Sequence, residues 1–326
     1  MRMSDLAGRV CYFGKLPGRA DFVRSGNGAA ILDPLDAWVA HGLELAASDP
    51  GWKSAYDRCA PVDFVFLGAR SPVALVGRLV PSQDASQRRF PFIAAVALPT
   101  ESPIGLMAEF PTCFDTVWRQ LATAMDAAVT SEDPRAALDE LAAIEFSPPM
   151  LGRVERLMPE YDRLTIADVE RCLRGAGHPL VLRRSVLALG LLLEPLLTQA
   201  SARMQRGLVL PLPAPGDARN ALATWWAAAV APFLSRSDFE VGAFNVHRSG
   251  RPELMLSFAG ADARVLEALL SASAAHDYLI DVCDADWVED YLDNDYAIRK
   301  LASYLDIPRL SLRQAADTFS EAFLGR

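Results

Sequence analysis

The chain has 326 residues, 51% of them apolar and 22% charged, with a formal charge of −9 at neutral pH. That composition supports a large buried core and argues against disorder. The acidity argues against a general nucleic-acid binder, which needs a basic face to displace counterions.

The first distinctive stretch is VCYFGKLPGRADFVR, residues 10–24, in which Lys15, Arg19 and Arg24 surround Asp21 and Phe22. A phosphate-cradling P-loop requires GxxxxGK followed by Ser or Thr. Here Leu16 stands at the hydroxyl position, and Pro17 removes a backbone donor. Residues 31–46 predict a helix with Asp33 as its cap, Pro34 in the first turn, and Leu35, Trp38, Val39, Leu43 and Ala46 along one face. Short apolar runs at 62–68, 72–82 and 91–99 read as antiparallel strands. Between the last two lies VPSQDASQRRFPF, residues 80–92, where Arg88 and Arg89 precede Phe90 and Asp84 sits just upstream. Both basic-aromatic stretches fall at strand edges or loops, where recognition residues concentrate. The plainer alternative is that the aspartates pair with these arginines and the aromatics plug the core.

Helical spacing returns from Phe114 to Ala128, a second helix starts near Asp133, and Thr165 with Asp168 opens a third over 165–174. Residues 180–206 remain open between helix and buried strand, because a solid apolar run carries no period. A strand at 208–213 precedes a helix at 217–234. Its adjacent Trp225 and Trp226 project about 100° apart, so one is expected in the core and the other at a layer boundary or partner surface. Residues 239–258 read as a hairpin around HRSGRPE, 262–272 as a helix and 278–283 as a strand. The last forty residues read as two helices. Asp286 with Glu289 resembles a capping box for the first, which Pro308 ends, and Ser311 with Gln314 opens the second. Leu312, Ala316, Phe319 and Phe323 mark a buried stripe on that last helix.

Strands mixed with helices, in hairpins as well as singly, predict a three-layer α/β body with a C-terminal helical tail. Five scattered cysteines without a CxxC pair read as buried free thiols of a reducing compartment. The chain's start carries no apolar signal core. Its longest apolar run, residues 185–197, is shorter than the ~20 residues of a membrane span. These features predict a cytoplasmic protein without membrane insertion.

The chemistry is sparse. There is no GxSxG elbow. His41, His178, His247 and His276 are far apart in sequence and are expected at the surface or at helix ends rather than as metal ligands. Eight carboxylates from Asp277 to Asp295 occur without an intervening Lys or Arg, but they lack EF-hand order and read as a solvated helix start. No catalytic, cofactor-binding or metal-binding residue is assigned, and no small-molecule substrate is expected.

The ordered motifs FGKLPGRADF (13–22), LDAW (35–38), and Pro81, Ser82, Asp84, Arg88, Phe90 and Pro91 resemble the TagF (ImpM) family of type VI secretion accessory proteins. The resemblance covers roughly residues 10–115. It implies an α-β-α sandwich, and the strand pattern makes its sheet mixed and largely antiparallel. The pattern alone, beyond the reach of the resemblance, divides the chain into a TagF-like body, 1–284, and an acidic helical extension, 285–326, whose buried stripes predict that it packs on the body. The resemblance also implies a non-catalytic regulator that restrains secretion after translation, alongside the kinase–phosphatase (PpkA/PppA) pathway, by binding the forkhead-associated protein Fha. Lys15, Arg19, Asp21, Arg24, Arg88 and Arg89 are the expected partner contacts. The runner-up is a phosphoryl-group-handling or nucleotide-dependent enzyme of the same pathway, and a third reading makes the acidic tail a dock for a basic partner.

Overall fold

The computed structural model describes residues 8–26, 28–179, 182–198, 204–292 and 295–325. The first half of the chain supplies strands β1 (Cys11–Gly14), β2 (Val23–Arg24), β3 (Val62–Gly68), β4 (Val73–Val80) and β5 (Phe92–Pro99). The second half supplies β6 (Gly207–Pro211), β7 (Glu240–Arg248), β8 (Arg251–Ser257) and β9 (Leu279–Asp281). They form one sheet in the order β2-β1-β5-β4-β3-β7-β8-β6-β9. Every step is antiparallel except the parallel β6–β9 edge. The two halves meet at β3 and β7, with Phe64 opposite Phe244.

The helices of the first half are α1 (Ala29–Ala46), α2 (Trp52–Arg58), α3 (Pro103–Thr130) and α4 (Arg135–Ala143). Then come α5 (Arg153–Arg163), α6 (Ile166–Gly175), α7 (Leu182–Leu193), α8 (Pro195–Thr198) and α9 (Asp217–Leu234). The chain ends with α10 (Ala263–Leu270), α11 (Ala272–Tyr278), α12 (Tyr296–Leu305) and α13 (Leu312–Leu324). Strand alternation divides the core. Phe64, Ile93 and Phe244 face α1, α10 and α11, whereas Val65, Val96 and Ala243 face α3, α9 and the helices stacked beyond them. The result is an α-β-α sandwich. β5 is buried on both faces, as its unbroken apolar run requires.

Several local expectations are overturned. Asp33 does not cap α1, which starts four residues earlier behind Gly28 in the left-handed region (φ 103°); Asp33 instead pairs with Arg24. Pro34 is tolerated inside the helix because the carbonyl that loses its donor belongs to exposed Ala30. The segment left open resolves as helix, α7 and the short α8, while residues 180–181 and 199–203 lie outside the described residues. Trp225 and Trp226 are both buried, because α13 lays a further layer over α9. Trp226 Nε1 donates to the Pro211 carbonyl and Trp225 Nε1 to that of Leu312, each at 3.0 Å. His178 is buried too, its Nε2 within 3.1 Å of the Leu212 and Pro252 carbonyls.

The acidic stretch also differs from its sequence reading. Residues Asp286–Tyr291 form a short 3-10 helix without a side-chain cap, and Asp295 caps α12. Asp286 and Glu289 pair with Arg184, and Glu289 also with Arg183, so these carboxylates tie the tail to α7. Asp293 lies outside the described residues. The capping boxes at Thr165/Asp168 and Ser311/Gln314 are present as read.

Candidate functional site

The two basic-aromatic stretches meet at one end of the sheet. β1 stops at Gly14, whose φ of 131° is open to glycine but strained for other residues. A Cβ there would overlap the Pro91 carbonyl oxygen, so the bare glycine lets the two loops touch. The next residue, Lys15, turns inward with its Nζ 3.0 Å from Asp84 Oδ2, both side chains being buried.

Asp84 organises the second loop. Its Oδ1 accepts the backbone N–H groups of Ser86 (2.9 Å) and Arg88 (3.0 Å), and its Oδ2 accepts Arg88 Nε at 2.7 Å. Burial alone would raise this carboxyl. The Arg88 N–H, the Lys15 ammonium, the Arg88 guanidinium and the Ser86 N–H outweigh burial and hold it far below the ordinary carboxylate range. The first loop is stitched on by the Ala85 N–H donating to the Arg19 carbonyl (2.8 Å) and Arg88 Nη2 donating to that of Ala20 (3.0 Å). Beneath them, the Tyr56 hydroxyl both donates to the Ser82 carbonyl and accepts its N–H, at 2.9 Å each.

The six expected contact residues therefore divide. Lys15 is buried against Asp84 and positions the loops from below. Arg24 is paired with Asp33, and Arg89 grips Asp57 through two bonds of 2.8 and 2.6 Å. Arg88, though bonded, leaves 62% of its side chain in solvent. Asp21 is exposed and Arg19 half-buried. Among these three stands Phe22, 50% exposed, its ring 4.9 Å edge-on from Phe90 and 5.0 Å from Lys15 Nζ. Phe22 is absent from the expected contacts. Its signal was an aromatic flanked on both sides by charge, where a core plug is poorly served.

A second buried ionic cluster lies across the sheet, on the α10 side. Arg248 Nε is 2.8 Å from Glu253 Oε2, and Arg248 Nη2 is 3.3 Å from Asp281 Oδ2. Glu253 is buried, and that burial pushes its carboxyl up to about 7, against the pull of Arg248 and with a further push from Asp281. Among the described residues, no group of three or more His, Cys, Asp or Glu side chains is placed to hold a metal.

Residues 11–143 match the family model of the TagF N-terminal domain, described as type VI secretion system-associated. The chain carries a TagF N-terminal domain. The matched segment runs from β1 to α4 and contains both loops of the site. No curated protein matches the chain. Among solved structures, PA0076 from Pseudomonas aeruginosa PAO1 is similar at 18% identity and a TM-score of 0.47, over 81% of this chain and 94% of its own. No helix among the described residues is long and apolar enough to cross a membrane.

Proposed function

We propose that this TagF-domain protein is a non-enzymatic cytoplasmic accessory factor that restrains type VI secretion after translation by binding the forkhead-associated protein Fha. The reading is supported by the type VI secretion-associated domain match and, for the surface, by one observation. A half-exposed phenylalanine stands beside exposed Arg88 and Asp21 and half-buried Arg19, over the buried Lys15–Asp84 pair that anchors Arg88. Protein interfaces concentrate their binding energy in such anchors, an aromatic or arginine at the centre with near-neutral contacts around it. Phe22 is the anchor, Arg88, Arg19 and Asp21 are its polar surround, and Lys15 keeps them in place.

The test is co-purification and quantitative binding of Fha with Phe22→Ala and Arg88→Glu. Loss of one anchor is expected to weaken binding by about tenfold or more, with thermal unfolding unchanged for Phe22→Ala. Fha binding that stays at the parent level in both variants would remove this surface from the proposal. Secretion left unrestrained in cells by a Phe22→Ala protein that is present at normal abundance would support it.

A further inference from the structure

Away from those loops, a row of polar side chains crosses the sheet where apolar ones would otherwise pack. Arg78 on β4, Asp63 on β3 and Asn245 on β7 are cross-strand neighbours. They lie on the face that presents Val65, Val76 and Ala243 to α3 and α9 one step further along. Together with His247, they form the floor of a cleft of about 620 Å³ whose walls are the middle of α3 and the first turns of α9.

The charges in this cleft do not cancel. Arg78 is paired with Asp63 on the floor, and Arg119 with Asp115 at 2.9 Å on the α3 wall. Arg219, on the α9 wall, has no carboxylate within 4.0 Å among the described residues, and its hydrogen bond is a long one, 3.4 Å to the Pro213 carbonyl. Burial draws its guanidinium below the ordinary arginine range, opposed only by the field of Asp63. His247, exposed at the edge of the floor, is likewise lowered, by burial and then by Arg219. Beside Arg219 the cleft presents the side-chain amides of Asn220 and Asn245. A half-buried arginine short of acceptors, among amide donors in a concave space, is arranged for an acceptor supplied from outside.

We propose that this cleft binds an oxyanion, the carboxylate or phosphate group of a ligand, with Arg219 as the principal contact and Asn220 and Asn245 as flanking donors. The guanidinium fork suits two oxygens of one such group. The cleft is built from β3, β4, β7, α3 and α9, so it stands apart from the Phe22 surface, and the two proposals can fail separately.

The experiment titrates the full chain with inorganic phosphate and, separately, with acetate, by calorimetry at constant ionic strength. At least one anion is expected to bind saturably, and the tighter of the two assigns the ligand group as phosphoryl or carboxyl. Arg219→Gln is expected to weaken that binding about tenfold or more while its thermal unfolding stays cooperative. Asp63→Asn is expected to tighten it, because the variant removes the competing negative charge and frees Arg78. Absence of saturable binding for both anions overturns the proposal, as does equal binding by Arg219→Gln. Should Arg219→Gln fail to fold, Asp63→Asn decides alone: binding no tighter than the parent's overturns it.

Discussion

Asp84 and Glu253 are each about 1% exposed and each meet an arginine, yet burial has opposite outcomes for them. Asp84 receives two backbone N–H groups, an ammonium and a guanidinium, and remains ionised far below the usual range. Glu253 receives one guanidinium, shares it with Asp281, and is pushed up to about 7. A buried carboxylate is stable as an ion only when donors replace its lost water; one cation shared between two acids is too few. The difference follows from local geometry. Asp84 sits in a turn whose own N–H groups converge on it, with Gln87 at φ 62° closing the loop. Glu253 lies in mid-ladder on β8, where the backbone N–H groups point along the sheet and cannot reach its side chain.

The largest break in this comparison is Gly14→Ala. The added methyl meets the Pro91 carbonyl oxygen and the Phe92 backbone, neither of which can yield, at a φ that side chains resist. A loss of about 4 kcal/mol is expected, read as a fall in the urea midpoint. The Glu253 cluster, on the other half of the sheet, should keep its own titration in whatever fraction stays folded.

The pH dependence of stability sharpens the contrast, because the two carboxyls give opposite signs. Between pH 4.5 and about 7 native Glu253 holds a proton that the unfolded chain has released, so its contribution to stability falls as pH rises. The span amounts to up to about 3 kcal/mol. Asp84 acts the other way: below its unfolded value near 3.8 the unfolded chain takes up a proton that the native state refuses, and stability is lost as pH falls. Glu253→Gln should therefore gain on the parent steadily between pH 5 and 7 in urea unfolding, while leaving the acid limb unchanged. A parallel pH profile for parent and variant would mean that Glu253 is ionised in the native state throughout.

The same geometry explains what could be read in the sequence. The Asp84–Arg88 pair lies within one turn, and the strands at 62–68, 72–82 and 91–99 are short, apolar and punctuated, so this end of the molecule was legible nearly to the residue. The Arg248–Glu253–Asp281 cluster depends on a hairpin register and on the parallel β6–β9 pairing, which nothing local announces. The burial of both Trp225 and Trp226 was hidden for a like reason: the helix that covers Trp225 begins 87 residues later. Phe22 was visible as a residue but not as a surface, since its exposure depends on Lys15 turning inward beneath it.

The smallest effect separates holding a loop from presenting it. Arg88 donates to buried Asp84 and to the Ala20 carbonyl, but most of its own side chain is in solvent, where water screens its charge. Asp84 would still keep the Ser86 and Arg88 backbone N–H groups and the Lys15 ammonium after truncation of that side chain. Arg88→Ala is therefore expected to move the melting temperature by no more than about 2 °C. Lys15→Met, which leaves the buried carboxylate facing a methyl group, should lower it several times as far. If the two variants melt alike, Arg88 is a structural member of the network, and the division between buried support and exposed contact no longer holds.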